Sequence, residues 1–141
     1  MLIQYHDKDL HDVTCSGSLI KENAVLTAAH CCEKIQNLTK MYDDNYTDYS
    51  VLAGTPDLKS FIHTVSPEIP IKGIYIHENY RPPIENENDL AAINDICIIK
   101  LEHSFNITND IQVVQLQMNK NRENLEIETH CHVSGWGLDE V

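Results

Sequence analysis

The sequence is dominated by short segments rich in β-branched and aromatic residues, each separated from the next by a polar, turn-forming stretch. Examples are MLIQY, SLI, AVLT, YSVLAG, FIHTV, IKGIYIH, DICIIKL, IQVVQL and HCHVSGW. Because few stretches show the roughly 3.6-residue period of an amphipathic helix, this pattern predicts an all-β sandwich or barrel. A short helical turn is predicted at AAHCC, directly after AVLT, and KNRENLEIE fits a helix or an extended connection about equally.

Length and charge limit the class of partner. The chain has 141 residues, enough for one ordinary domain with a sizeable core. Its 22 acidic and 10 basic side chains give a formal net charge of -12. Nucleic-acid binding draws its affinity from clustered lysine and arginine, so no nucleic-acid partner is expected. No apolar run approaches the length of a membrane span, so no membrane partner is expected either.

Several features indicate an extracellular protein. Three Asn-X-Thr sequons occur, and they mark possible N-glycosylation sites at Asn37, Asn45 and Asn106. Five cysteines fit an oxidising compartment, although the odd number leaves at least one without an internal partner. The first residues, MLIQYHDKDLHD, have neither the basic start nor the apolar core of a signal peptide.

Two titratable residues in the sequence are candidates for chemistry. A lone histidine beside apolar residues, such as His30 after AVLTAA, is more often structural than catalytic. Asp95, however, precedes a strand so apolar that its carboxylate should be buried, and a buried carboxylate must be paired or hydrogen-bonded. A histidine is the natural partner. The sequence therefore predicts that His30 and Asp95, 65 residues apart, meet through the fold.

Three motifs in order resemble the trypsin/chymotrypsin-like serine proteases. They are CSGSLIKENAVLTAAHC at residues 15–31, NDICIIKL at residues 94–101 and CHVSGWG at residues 131–137. The resemblance implies a chymotrypsin-like fold of two antiparallel six-stranded β-barrels with the active site between them. On this basis residues 1–126 are expected to form the first barrel, and residues 127–141 the connection to a truncated second barrel and its opening strand.

The resemblance also implies roles for individual residues. His30 falls on the family's general base, and Asp95 on the carboxylate that orients the imidazole and stabilises the imidazolium. Cys15 and Cys31 match the disulfide that brackets the histidine loop. Such a bridge would hold the imidazole at the short distance that proton transfer requires.

The sequence departs from the family at the nucleophile. The family's serine lies in a Gly-Asp-Ser-Gly-Gly motif, which the printed sequence does not contain, and an Ile-Val-Gly-Gly-like amino terminus does not precede MLIQYHDK. The oxyanion hole and the primary specificity pocket belong to the same half of the family's fold. We therefore expect a fragment of a longer secreted protease that is inactive alone, the rival interpretation being a genuine short protein. None of the serines has the nucleophile's context: Ser16, Ser18, Ser50, Ser60, Ser66, Ser104, Ser134.

Different bonding states are expected for the other three cysteines. Cys131 matches a family position whose partner lies in the second barrel, so it is expected to be unpaired. Cys97 lies in an apolar strand, where a free cysteine behaves as a small hydrophobic residue, and this is the preferred interpretation. A Cys32–Cys97 disulfide is the alternative, because the His30 turn and this strand should be close.

Metal ions and other cofactors are not expected. The clusters HCC and HCH, the latter formed by His130, Cys131 and His132, place ligands too close together for the usual spacing of structural zinc sites. Some members of the family bind calcium in a loop, but here LAGTPDL has Gly54 and Thr55 where a carboxylate would be required.

The function predicted from the resemblance is serine-type endopeptidase activity on a protein or peptide substrate, with serine protease inhibitors as further partners. The alternative is a non-catalytic protease homologue that binds a partner. The acidic loops around Asp43 and Glu85 are interpreted as solvated loops, and they are otherwise consistent with basic residues near the scissile bond.

Overall fold

The computed structural model describes residues 2–7, 10–43, 45–54, 67–83, 91–116 and 134–135. These residues form mostly strands, with one α-helix and one short 3-10 helix. The strands are β1 Leu2–Asp7, β2 Leu10–Ser16, β3 Ser18–Lys21, β4 Ala24–Thr27, β5 Tyr49–Leu52, β6 Glu68–Ile76 and β7 Cys97–Leu101. The helices are α1 Ala29–Tyr42 and the 3-10 helix Tyr46–Asp48.

The strands form one antiparallel sheet in the order β2-β1-β5-β6-β7-β4-β3. The first and last strands of this order, β2 and β3, are separated in the chain only by Gly17. At Gly17 the chain therefore passes directly from one edge strand of the sheet to the other, so the two edges must lie close together. The sheet curls into a barrel-like shape for this reason. The prediction of an all-β, antiparallel barrel is confirmed.

Gly17 lies where strands approach closely. A Cβ atom at this position would be 2.6 Å from Cγ1 of Val25 and 3.0 Å from the carbonyl oxygen of Leu26. Beside it, the hydroxyl of Thr27 donates a 2.9 Å hydrogen bond to the carbonyl oxygen of Ser16. Only glycine fits at this bend without displacing β4, which leads directly to the helix that carries His30.

The core lies inside the curled sheet and follows the two-residue alternation of the strands. In β7, Cys97, Ile99 and Leu101 are buried, whereas Ile98 is exposed. This alternation is what a strand with one face toward the core requires. Helix α1 packs against β6 and β7 and adds Ala29, Cys32 and Ile35 to the core.

Helix α1 is longer than the short turn predicted at AAHCC and has 14 residues. Its sequence after Cys32 contains good helix formers, and Ile35 and the half-buried Leu38 continue the apolar face at helical spacing. The helix ends at Asp43, whose backbone adopts a left-handed conformation (φ 56°) and whose N–H donates to the carbonyl oxygen of Thr39. The prediction of a single turn was wrong because it overlooked this periodicity.

Parts of the sequence-based interpretation lie outside the described residues. These are the expected domain boundary near residue 126, the segment KNRENLEIE and the cluster around Cys131. Among the residues that are described, no helix is both long enough and apolar enough to cross a membrane.

Candidate active site

His30 is placed by the transition from β4 to α1. The strand ends at Thr27, Ala28 has an extended backbone (φ -78°, ψ 149°), and the helix begins at the fully buried Ala29. His30 is thus the second residue of the helix, with its side chain at the surface. The disulfide between Cys15 and Cys31 that the family resemblance implies is present, and it ties the first turn of α1 to the end of β2.

Asp95 is placed by a tight loop before β7. Arg81 and Ile93 form an isolated antiparallel bridge that holds the two sides of this region together. Asn94 has a left-handed backbone (φ 52°), a conformation that asparagine tolerates better than most residues, and its side-chain amide donates a 3.0 Å hydrogen bond to the carbonyl oxygen of Asn79. The sharp turn at Asn94 presents the next side chain, Asp95, to helix α1.

The two side chains meet. The Nδ1 atom of His30 lies 2.7 Å from Oδ2 of Asp95, and the backbone N–H of His30 donates to Oδ1 at 2.8 Å. The histidine side chain is 60% exposed and the aspartate side chain 27% exposed. A carboxylate can only accept, so it selects the neutral tautomer in which Nδ1 carries the proton and Nε2 carries the lone pair.

Asp95 also takes the place of a helix cap. Ala28 has no side chain that could accept a hydrogen bond from the first turn of α1. The carboxylate of Asp95 accepts from the backbone of His30 instead, so a residue distant in sequence stabilises the positive end of the helix. Burial raises the pKa of this carboxyl, but hydrogen bonds from the His30 ring and from the His30 and Ala29 backbone, together with the charge of His30, outweigh burial, so the pKa lies below its usual value.

The second ring nitrogen of His30 remains available. Its Nε2 atom lies 3.4 Å from the sulfur of Cys31. That sulfur belongs to a disulfide and carries no proton, so it cannot donate to the Nε2 lone pair. The arrangement therefore offers an oriented, solvent-accessible base.

Tyr80 lies beside this pair, and sequence reasoning did not single it out. Its hydroxyl donates a 3.3 Å hydrogen bond to Oε2 of Glu33, one turn along the helix from His30. Burial raises the pKa of Tyr80, and the negative charge of Glu33, the hydrogen bond to Glu33 and the charge of Asp95 raise it further. Tyr80 is therefore a protonated donor at neutral pH. The segment IYIHENY, residues 74–80, also resembles the family, and this resemblance was the sequence signal that could have identified Tyr80.

A second disulfide joins Cys32 to Cys97. The preferred interpretation of Cys97 as a free thiol is therefore wrong, and the alternative bridge is the one present. The spacing of the two cysteines in sequence does not show that the first turn of α1 packs onto the start of β7. Both cysteines are fully buried, and each lies two residues after a member of the His30–Asp95 pair.

The other predicted sites are dispersed. Asn37, Asn45 and Asn106 are all exposed, with Asn37 on helix α1 rather than in a loop. Asp43 is exposed at the opposite end of that helix from His30. Glu85 and the cluster of His130, Cys131 and His132 lie outside the described residues, as does Thr55 next to Gly54.

Metal-ligating atoms come together in one group within the part of the chain that the structure describes. It consists of Cys15, His30 and Cys31. Both sulfurs of this group are bonded to each other, and a zinc site requires thiolates. The group therefore does not fit a metal ion.

Comparisons with known proteins agree with this geometry. The family model described as Trypsin matches residues 2–141. Rat (Rattus norvegicus) chymotrypsin-C is 34% identical over 135 residues, covering 96% of this chain and 43% of the relative, and bovine (Bos taurus) proproteinase E is 30% identical over 137 residues, covering 96% and 47%.

A solved structure of neuropsin, a serine protease from mouse brain, matches 82% of this chain and 42% of its own at 27% identity, with a TM-score of 0.54. The chain thus spans less than half the length of each of these relatives. Its sheet matches the chymotrypsin-like fold, and the chain belongs to the trypsin family of serine proteases.

Proposed function

We propose that this chain supplies the base and the orienting acid of a serine-type endopeptidase. One observation carries the proposal: Asp95 holds Nδ1 of His30 at 2.7 Å while the histidine side chain as a whole remains 60% exposed. A binding protein has no physical need for an imidazole held in one tautomer by a partly buried carboxylate. Family membership supports the same reaction class.

The reaction would follow the scheme common to this family. A serine hydroxyl supplied from outside the described residues attacks the peptide carbonyl carbon, and Nε2 of His30 takes the hydroxyl proton. Asp95 stabilises the resulting imidazolium through Nδ1. When the tetrahedral intermediate collapses, the imidazolium returns that proton to the leaving amine, which leaves an acyl-enzyme. Water then hydrolyses the acyl-enzyme with His30 again acting as base.

The polypeptide of the printed sequence is proposed to be inactive alone. It contains no Gly-Asp-Ser-Gly-Gly motif, and in an enzyme that uses the same triad chemistry the loss of the serine lowers turnover about a million-fold. The test is incubation of the purified 141-residue chain with peptide substrates and a fluorophosphonate probe. Neither hydrolysis nor labelling is expected, and labelling together with hydrolysis would contradict the proposal.

The enzyme proposal itself is tested in the transcript that contains these residues. A downstream serine motif supports the endopeptidase, and the protein carrying it should lose activity when His30 is replaced by alanine. His103, an exposed histidine after β7, provides the matched control, because His103→Ala should leave activity unchanged. Equal activity of the His30→Ala protein and the unchanged protein would refute the role of His30.

A non-catalytic binding role is the second candidate, and one observation favours it. The segment after β7 exposes several apolar side chains, which a further domain or a partner protein would cover: Ile107, Val113, Val114, Leu116. A downstream half with another residue at the serine position would establish this alternative.

We also propose an extracellular, glycosylated protein that acts on protein or peptide substrates and is subject to serine protease inhibitors. Two disulfides and three exposed sequon asparagines support the location. Enzymatic removal of N-glycans from protein secreted by eukaryotic cells should lower its mass, and asparagine-to-glutamine replacements at Asn37, Asn45 and Asn106 should each remove part of that difference. No change of mass on deglycosylation would contradict glycosylation.

A further inference from the structure

Two cysteines occupy equivalent positions relative to the His30–Asp95 pair. Cys32 lies two residues after His30, and Cys97 lies two residues after Asp95. Their sulfurs are bonded, and their Cα atoms are 6.6 Å apart. The disulfide and the His30–Asp95 hydrogen bond therefore connect the same two segments of chain, with a single residue between the two connections on each segment.

The disulfide lies in the close-packed interior. Cys32 is 0% exposed and Cys97 is 1% exposed, and both belong to the core cluster that also contains Ala29, Ile35 and Ile99. Protein interiors leave few voids, so side chains at this depth have little room to shift. A displacement of either segment at these cysteines is opposed by the covalent bond and by the packing around it.

Helix α1 has few other attachments to the sheet. Of its 14 residues, four are buried, namely Ala29, Cys31, Cys32 and Ile35. Two of these four are cysteines bonded to other strands. Because Ala28 provides no side-chain cap, the position of the first turn depends largely on these two disulfides and on the hydrogen bonds to Asp95.

The contact with Asp95 is sensitive to that position. One carboxylate oxygen receives the ring Nδ1–H at 2.7 Å and the other receives the His30 backbone N–H at 2.8 Å. A hydrogen bond is largely lost beyond about 3.5 Å, so a displacement of about 1 Å between the helix and the loop would break both contacts.

We propose that the Cys32–Cys97 disulfide is a positioning element for His30 and Asp95, holding the first turn of α1 against the start of β7 so that the carboxylate reaches Nδ1. This inference rests on the proposed function of the pair. Neither cysteine touches a reacting atom. The disulfide acts on the pair through the separation of the two segments, and this effect comes in addition to its contribution to the stability of the whole chain.

The first experiment establishes the bond itself. The folded chain is digested without reduction, and the peptides are analysed by mass spectrometry. A linked pair containing Cys32 and Cys97 is expected. Recovery of these cysteines as free thiols or with other partners would overturn the inference.

The second experiment removes the bond but keeps apolar side chains in its place, in the combined variant Cys32→Ala and Cys97→Val. Ile99→Ala serves as the matched control, since Ile99 is fully buried in the same strand and forms no covalent link. Two signals are followed by NMR at neutral pH: solvent exchange of the His30 backbone amide and the resonance of its Nδ1 proton.

The expected result is local. Relative to the control, the His30 amide should exchange about 10-fold faster or more and the Nδ1 proton signal should broaden or disappear. The amide of Val51, in strand β5, should exchange at the same rate in both variants. Asp95→Asn is then introduced into the unchanged chain and into the disulfide-free chain. It should change the His30 signals strongly in the first and little in the second, because the disulfide-free chain has already lost the interaction between His30 and Asp95.

The outcomes separate this inference from the proposed function. If His30 exchanges in the disulfide-free chain as it does in the control, the bond is a general stabiliser and the inference is overturned, while the pair stands. If Asp95→Asn leaves both His30 signals of the unchanged chain unaltered, the hydrogen bonds are absent and both proposals fail. If the disulfide-free chain does not fold, and the variant Cys32→Val with Cys97→Ala does not fold either, the effect is global and the inference is overturned.

Discussion

The two halves of helix α1 differ in how they are held. The first half contains all four buried residues of the helix, both of its disulfide-bonded cysteines and the hydrogen bonds to Asp95. The second half ends in Met41 and Tyr42, which are 71% and 59% exposed, and is closed only by the backbone of Asp43. Attachment is thus concentrated at the end of the helix where His30, the proposed general base, lies.

The largest expected difference is between the aspartates at the two ends of helix α1: Asp95, which contacts its first turn, and Asp43, which ends it. In a longer protein that carries the serine motif, Asp95→Asn should lower kcat, and with it kcat/KM, about 10,000-fold, as the equivalent change does in a trypsin-type triad, because asparagine favours the wrong imidazole tautomer. Asp43→Asn should have no effect on kcat/KM, since asparagine tolerates the left-handed backbone of that cap. Steady-state kinetics with a peptide substrate would measure both, and equal losses would remove the distinction between the ends.

The two disulfides of the first half should differ in their contribution to stability. In the chain-entropy model, closing the 16-residue separation of Cys15–Cys31 contributes about 3 kcal/mol and the 65-residue separation of Cys32–Cys97 about 4 kcal/mol. Replacing each pair by alanine and measuring the free energy of unfolding in urea would test this order. A larger loss from removing Cys15–Cys31 would show that packing in the native state, and not loop closure in the unfolded state, determines which disulfide contributes more to stability.

Apolar truncation should show the same asymmetry on a smaller scale. Ile35→Ala removes a side chain that is 1% exposed and should lower the free energy of unfolding by about 3 kcal/mol. Met41→Ala, six residues further along, should change it by less than about 0.5 kcal/mol. Urea unfolding of both variants measures the contrast, and comparable losses would mean that the distal half is packed more tightly than its exposure indicates.

The smallest expected effect is a dependence of stability on acid pH. Because folding lowers the pKa of Asp95, its carboxylate stabilises the folded chain fully above the usual aspartate pKa of about 4, and this stabilisation is lost as pH falls through the lower folded-state pKa. The urea midpoint of the unchanged chain should therefore fall more steeply below about pH 4 than that of Asp95→Asn. Parallel curves for the two proteins would show that the carboxylate does not couple folding to protonation.

Sequence reasoning was sufficient for the sheet and for the encounter of His30 with Asp95. The apolar run after Asp95 implied a buried strand, and a carboxylate at its start needed a partner. The alternation of Cys97, Ile98 and Ile99 between inside and outside follows from the same period of two.

The remaining features depend on tertiary contacts that no local pattern encodes. Asp95 accepts a hydrogen bond from the backbone of His30, 65 positions away in the sequence. It takes the place of a local helix cap because Ala28 has no side chain that could accept this hydrogen bond. The sequence predicted that the His30 turn and the strand after Asp95 are close, but it did not show that the side chains of Cys32 and Cys97 face each other in the core. The length of α1, in contrast, does follow from the sequence, because Ile35 and Leu38 continue its apolar face at helical spacing.

Gly17 lies at the bend between β2 and β3, the first and last strands of the sheet, and it follows Cys15 by two residues. A methyl group at this seam would push against Val25 and move the end of β2. Cys15 would transmit the movement through its sulfur to Cys31, the residue next to His30. A substitution at Gly17 is therefore expected to shift the position of the His30 side chain through the Cys15–Cys31 disulfide, although Gly17 itself takes no part in proton transfer.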